Sequence, residues 1–146
     1  MFSFGKFKEI YSEWIPLILW MGVIFLMSTD SFSFFKTSNY VVPLLQTLFP
    51  GLPLGAIHSI HVFIRKFGHF FEYAVLSLLW YRTLQSGEKQ WSTRLALLAL
   101  VLSALYAATD EFHQTFVPSR GPSLIDVGID STGAACSLLV LRLLKA

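Results

Sequence analysis

The order of apolar and polar positions divides the chain into four long apolar stretches separated by polar or helix-breaking connections. Trp14 to Ser28, Phe67 to Leu84, Leu95 to His113 and Leu124 to Leu144 each approach the roughly 20 predominantly apolar residues that a hydrocarbon core about 30 Å thick requires. They predict an all-α membrane protein, a single domain over 1–146 built as a bundle of about four transmembrane helices. Pro16 fits the first of these because it falls in the predicted first turn, where its missing N–H had no partner to lose. Gly128 and Gly133 suit the fourth to close helix packing.

The stretch from Asn39 to Ile64 is apolar too, but Pro43, Pro50, Gly51, Pro53 and Gly55 interrupt it. Repeated breakers would leave backbone groups unmet in lipid, so an irregular segment is predicted, interfacial or re-entrant and packed on protein. Its position between the first and second helices would let it lid a site at that end. Met1 to Glu13, with Lys6 and Lys8 ahead of an apolar run, resembles a signal peptide. That run ends in Ser28-Thr29-Asp30-Ser31 without an Ala-x-Ala-like site, which predicts a retained signal-anchor helix.

Composition agrees with the pattern. Hydrophobic residues make up 54% of the chain and charged ones 14%, which excludes both disorder and an ordinary soluble domain. Eleven Lys and Arg against nine Asp and Glu leave too slight an excess for a nucleic-acid-binding stripe. The basic residues read instead as orientation determinants. Lys6, Lys8, Arg82, Lys89, Arg94, Arg142 and Lys145 all flank one side, which predicts cytoplasmic termini and a cytoplasmic Leu84 to Arg94 loop. Asp30 to Lys66 and Phe112 to Ser123 are then outside. Lys36, Arg65, Lys66 and Arg120 oppose the rule, and at least two of them read better as site residues. Trp14, Trp20, Trp80, Tyr81 and Trp91 read as interface anchors. The single cysteine, Cys136, excludes an intrachain disulfide and a cysteine-based metal cluster and reads as a small packing residue.

The chemistry concentrates at three places. The second helix opens with Arg65-Lys66-Phe67-Gly68-His69-Phe70-Phe71-Glu72-Tyr73, in which Lys66, His69 and Tyr73 share a face and Glu72 stands beside His69. The third ends in Asp110-Glu111-Phe112-His113-Gln114, and after Arg120 the fourth begins with Ser123, Asp126 and Asp130 on one stripe. Asp130 lies roughly 10 Å along that helix from Ser123, below the interface. An ionisable residue within a span costs on the order of 3 kcal/mol, so such a set predicts a polar, protein-lined pocket. Because consecutive helices alternate in direction, all three places meet at one end of the bundle. Asp30 joins them there, whereas His58 and His61 read as interfacial residues and Ser119 and Ser123 as turn and N-cap residues.

Two kinds of ligand suit these residue types. His69-x-x-Glu72 and Asp110-x-x-His113 are one-turn pairs of the sort with which helical bundles hold a divalent metal, although no His-Glu-x-x-His signature is present. Lys66 and Arg120 would instead clamp an anion such as a lipid phosphate, with His69 or His113 shuttling a proton. No Gly-rich phosphate loop or Gly-x-Ser-x-Gly elbow occurs, so nucleotide binding and an ordinary serine hydrolase are not supported. Candidate catalytic residues are His69, Glu72, Asp110, Glu111, Asp126 and Asp130, with His113 and Gln114 completing the pocket.

Arg65-Lys66-x-x-His69-x-x-Glu72-Tyr73, then Asp110-Glu111-x-His113-Gln114-x-Phe116-Val117-Pro118-Ser119-Arg120, then Asp126-Val127-x-x-Asp130-x-x-Gly133, together resemble the VanZ-like family. The resemblance covers the chain from the first helix to the fourth, with Ser119 where the family more often has Gly. It implies an integral protein of the bacterial cytoplasmic membrane, related to a protein associated with low-level resistance to the glycopeptide teicoplanin. It supplies no reaction. Two functions are open at this point: binding or processing of an anionic lipid or lipid-linked envelope precursor at the outer leaflet, or a non-catalytic role in which the buried charges fix helix packing. Transport is disfavoured because Val75 to Leu79 and Leu95 to Leu102 offer no polar path.

Overall fold

The apolar runs are continuous enough to carry helix well past the ends expected from composition. A computed structural model of the chain describes residues 4–87 and 90–145, with side chains described from residue 12. Among them are five α-helices, one 3-10 turn and no strand. The helices are α1 (Phe4–Met27), α2 (Phe34–Leu48), α3 (Leu54–Gln85), α4 (Thr93–Gln114) and α5 (Leu124–Lys145), with the 3-10 turn at Asp30–Phe32 between α1 and α2. Lys89, invoked for orientation, lies outside the described residues, as do the side chains of Lys6 and Lys8.

The expectation of an irregular segment from Asn39 to Ile64 is corrected. Pro50, Gly51 and Pro53 all fall within the one connection between α2 and α3, and Gly55 lies in the first turn of α3, so the breakers are bunched and interrupt the chain once. Only Pro43 stands inside a helix. Pro16 is likewise interior, because α1 begins at Phe4, and it removes one i→i−4 hydrogen bond there. Ser33 opens α2 by accepting from the Lys36 N–H, and Ser92 does the same for α4 with Leu95. α3 ends where Ser86 and Gly87 turn left-handed, at φ 45° and 87°.

α4 and α5 are each long and apolar enough to cross a membrane. α1 and α2, bent by 68° at the break between them, make a third such unit only if counted as one broken span. Four spans are therefore not established: α3 is the longest helix, at 32 residues, but Arg65, Lys66, His69, Glu72 and Arg82 lower its apolarity. It is also the centre of the bundle, packed on α1, α2, α4 and α5. Two clusters form the core, Leu17, Ile24, Tyr73, Leu76 and Ala107 in one and Tyr81, Ala96, Ala99 and Leu138 in the other. Large apolar side chains such as Leu97, Val101 and Leu105 on α4 and Leu139, Val140 and Leu143 on α5 face outward. This inversion of the soluble pattern suits a lipid surround.

Between α3 and α5 the contact is made by small residues. Ser77 Oγ donates to the Ala134 carbonyl at 3.2 Å and stands 2.7 Å from Ser137 Oγ, and Gly133 lies against the backbone of Phe70. Gly128, expected to share this role, has open space at its Cα. Tyr81 and Trp20 are not simple interface anchors. Tyr81 is buried, its hydroxyl accepting from the Ser92 N–H at 3.0 Å, and Trp20 donates to the Glu72 carbonyl at 2.9 Å. Cys136 is exposed, contrary to a packing role.

Candidate functional site

The ends of α1 and α4 and the start of α5 meet the middle of α3, which begins eleven residues before Arg65, and the ionisable residues gather there. Ser28 at the foot of α1 donates to Asp110 on α4 at 2.5 Å, Lys66 on α3 reaches Asp126 on α5 at 2.6 Å, and the Ser123 N–H donates to Glu111 at 2.7 Å. At the opposite end Arg82 donates two hydrogen bonds to Glu13, at 2.5 and 3.2 Å, and Lys145 reaches Gln85 at 3.1 Å.

The gathered residues divide into two populations. The first is bonded internally. Gln114 donates to Asp110 and to Glu111, both at 3.1 Å, so Ser28, Asp110, Gln114, Glu111 and Ser123 form one chain of buried contacts tying α1, α4 and the start of α5. Ser123 also accepts from the Asp126 N–H, the N-cap bond expected of it. Lys66 and Asp126 are spent on each other. Their side chains are 42% and 24% exposed, so the pair contributes only about 0.2–1 kcal/mol. Exchanging the two residues, Lys66→Asp with Asp126→Lys, is expected to leave the melting temperature in detergent within a few degrees of the parent, whereas a collapse of the fold would show the pair to be fixed by more than charge.

The second population lacks partners. Asp130 is fully buried and neither carboxylate oxygen has a hydrogen-bond partner. His69 Nδ1 lies 3.4 Å from Asp130 Oδ1, close enough for charge attraction but not aligned as a hydrogen bond. Tyr73 Oη beneath them and Arg120 Nε are also buried and unmet. Buried polar atoms are nearly always satisfied in a native fold, so this group stands apart from the bonded one, as do Trp80 Nε1 and His113 Nδ1 elsewhere.

Two of the group, His69 and Arg120, line a cavity of about 230 Å³ bounded by the foot of α1, α2, the first half of α3 and the 115–123 loop, and Asp130 and Tyr73 stand behind its wall. Arg65, His69, Glu72 and Arg120 are its charged or ionisable lining, together with His61. Lys66 is not part of it, and Arg65 takes the place expected for Lys66 beside Arg120. Arg65 has no assigned role in the clamp expected from the sequence, although its place immediately before Lys66 on a helix puts it about 100° round from that residue. Arg65 Nη1 donates to the Phe32 carbonyl at 2.8 Å. Arg120 Nη2 donates to Met27 and, at 3.2 Å, to Thr29. Both guanidiniums thus cap the carbonyls at the break after α1, a favourable place for positive charge, and both keep spare donors. Burial first, and then the repulsion of Arg65, pull Arg120 below the ordinary guanidinium range. An anion between the two would relieve both effects.

His61 is part of the wall and not an interfacial residue. It is buried, stacks on Phe34 at 4.6 Å, and places its ring nitrogens 3.1 and 3.3 Å from Thr37 and Ser38, thereby fastening α2 over the cavity. His58 remains exposed. Asp30 pairs with Lys36 and accepts from Ser119, so Ser119 holds the loop that carries Arg120. His113 turns away from the gathered residues to pack on Phe25 at 4.6 Å. The anticipated metal geometry does not form: among the described residues no group of three or more His, Cys, Asp or Glu is placed to hold an ion.

Arg65, His69, Glu72 and Arg120 of the cavity, the Lys66–Asp126 pair and Gly133 of the α3–α5 seam are among the residues that carried the resemblance noted in the sequence. No curated protein and no solved structure matches the chain. The VanZ/LLP1 family model matches it from residue 13 to residue 145, so that every element from the end of α1's first turns to the end of α5 falls within the match, and the chain belongs to the VanZ/LLP1 family.

Proposed function

We propose that this is a multi-pass protein of the bacterial cytoplasmic membrane that binds the phosphate-bearing headgroup of an anionic lipid or lipid-linked envelope precursor, in the outer leaflet, between Arg65 and Arg120. The observation that carries this reading is the pairing of two guanidiniums with spare donors on one cavity of about 230 Å³. Guanidinium forks match phosphate oxygens in geometry as well as charge. The outward apolar faces beside the cavity give acyl chains a surface to lie on.

In this reading α1, α3, α4 and α5 all span. α3 crosses although polar because Glu72, Tyr73 and Ser77 face protein and not lipid. α2 lies along the outer interface with Leu45 turned inward and Tyr40, Leu44 and Leu48 turned out. Arg82, Arg94, Arg142 and Lys145 at the opposite end support cytoplasmic termini. The alternative, that the buried charges only fix packing, is favoured by the Asp110 group but leaves the unmet atoms of Asp130 and Arg120 without a role. Teicoplanin resistance, the property the family resemblance implies, belongs to this reading as a consequence of occupying or altering an envelope lipid.

Native mass spectrometry of the protein taken gently from its membrane tests this. The parent is expected to retain a phosphate-bearing lipid, and Arg120→Ala to lose at least about tenfold of it, the loss of one charge-assisted contact worth about 1.5–3 kcal/mol. Equal retention in parent and variant would refute the proposal.

A further inference from the structure

The cavity wall holds more than an anion receptor needs. His69 lines it, with Nδ1 3.4 Å from the fully buried Asp130, so that Nε2 is the ring nitrogen free of that neighbour. Glu72, one helical turn further along α3, lines it too, and among the described residues its carboxyl group accepts no hydrogen bond. A bare carboxylate beside two guanidiniums would oppose an incoming phosphate, and a carboxylic acid would not.

We infer that the cavity hydrolyses a phosphate ester of a membrane lipid, with His69 as general base, Glu72 as general acid and Asp130 as the positioning residue behind His69. This rests on the headgroup-binding reading above. Arg65 and Arg120 hold the non-bridging phosphate oxygens. As a water oxygen bonds to phosphorus, its proton passes to His69 Nε2; the bond from phosphorus to the ester oxygen breaks, and the Glu72 acid delivers its proton to that leaving oxygen. One water is consumed, an alcohol is released with inorganic phosphate from a monoester or a phosphomonoester from a diester, and passage of a proton from His69 to Glu72 restores the start. No redox partner or other co-reactant enters. Asp130 accepts from Nδ1–H, fixing the tautomer that leaves Nε2 free to take the proton. Its lack of any other partner is then intelligible, since closing of the 3.4 Å gap to His69 accompanies substrate binding.

The experiment uses the full chain in phosphatidylcholine vesicles holding phosphatidic acid, a monoester, or phosphatidylglycerol, a diester, with lipid products read by mass spectrometry. The parent is expected to consume one of the two, which identifies the ester class. His69→Gln is expected to lose about 100-fold or more of that rate, as for removal of a general base. Asp130→Asn should lower kcat comparably while lipid retention in native mass spectrometry is unchanged. Glu72→Gln should lose lipid hydrolysis but keep hydrolysis of the p-nitrophenyl ester of the same class, p-nitrophenyl phosphate for a monoester or bis-p-nitrophenyl phosphate for a diester, whose leaving group needs no proton. Retention of lipid with consumption of neither overturns the hydrolysis and leaves the receptor; failure to retain or consume either lipid overturns both; full activity in His69→Gln overturns the assigned base.

Discussion

Gly133→Ala is expected to unseat α5 from α3 and to take the site with it. A Cβ at Gly133 would fall 2.1 Å from the Phe70 carbonyl oxygen and 2.9 Å from the Phe70 carbonyl carbon. Both atoms belong to the interior of a helix, so no side chain can swing aside and the helices must part. Overpacking of this sort costs about 1–3 kcal/mol, and a backbone obstacle belongs at the upper end. The position of the contact makes the functional effect larger still. Phe70 follows His69, and Gly133 lies one turn beyond Asp130, so the displacement that admits the methyl group widens the His69–Asp130 separation of 3.4 Å. Thermal unfolding in detergent should show a drop of several degrees for Gly133→Ala. Gly128→Ala is the control: it has nothing within 4 Å, and alanine is favoured over glycine within a helix by about 0.5–1 kcal/mol. Equal melting temperatures for the two variants would sink the argument.

The contrast between these two glycines shows how far the sequence could be read. Small residues in an apolar run announce a close helix contact, but which of them faces the neighbour depends on rotation about the helix axis, which composition does not specify. The same limit applies to the charges. The meeting of Lys66 with Asp126, Ser28 with Asp110 and Glu111 with Ser123 at one end follows from the alternating directions of α1, α3, α4 and α5. Which charge meets which needed the azimuth of each residue. Lys66 and Arg65 are adjacent in sequence, yet one is bound to Asp126 and the other lines the cavity. His113 likewise had the spacing of a site residue and the rotation of a packing one. The stretch from Asn39 to Ile64 was misread for a different reason. Five breakers were counted, whereas their positions mattered: three of them share one connection and leave helix on both sides.

Asp110 and Asp130 are expected to respond in opposite directions to loss of charge, because one is bonded within the protein and the other is not. Asp110 is 4% exposed and accepts from Ser28 at 2.5 Å and from Gln114 at 3.1 Å. Asp110→Ala removes both bonds and leaves the buried Ser28 hydroxyl without its acceptor, while Gln114 keeps Glu111, for a loss of about 1–3 kcal/mol, read as a lower melting temperature. Asp130 is 0% exposed and neither of its oxygens accepts a hydrogen bond. The fold carries the desolvation cost of that carboxylate with little return, so Asp130→Asn, nearly identical in shape, should raise stability by about 1–3 kcal/mol. The same change removes the negative charge behind His69 and admits an amide donor that no longer fixes its tautomer, and should lower lipid hydrolysis about 100-fold. Higher stability with lower activity is the mark of a residue kept for chemistry. A fall in stability for Asp130→Asn would instead place Asp130 with Asp110, among the residues that hold the helices together, and would leave His69 without its positioning partner.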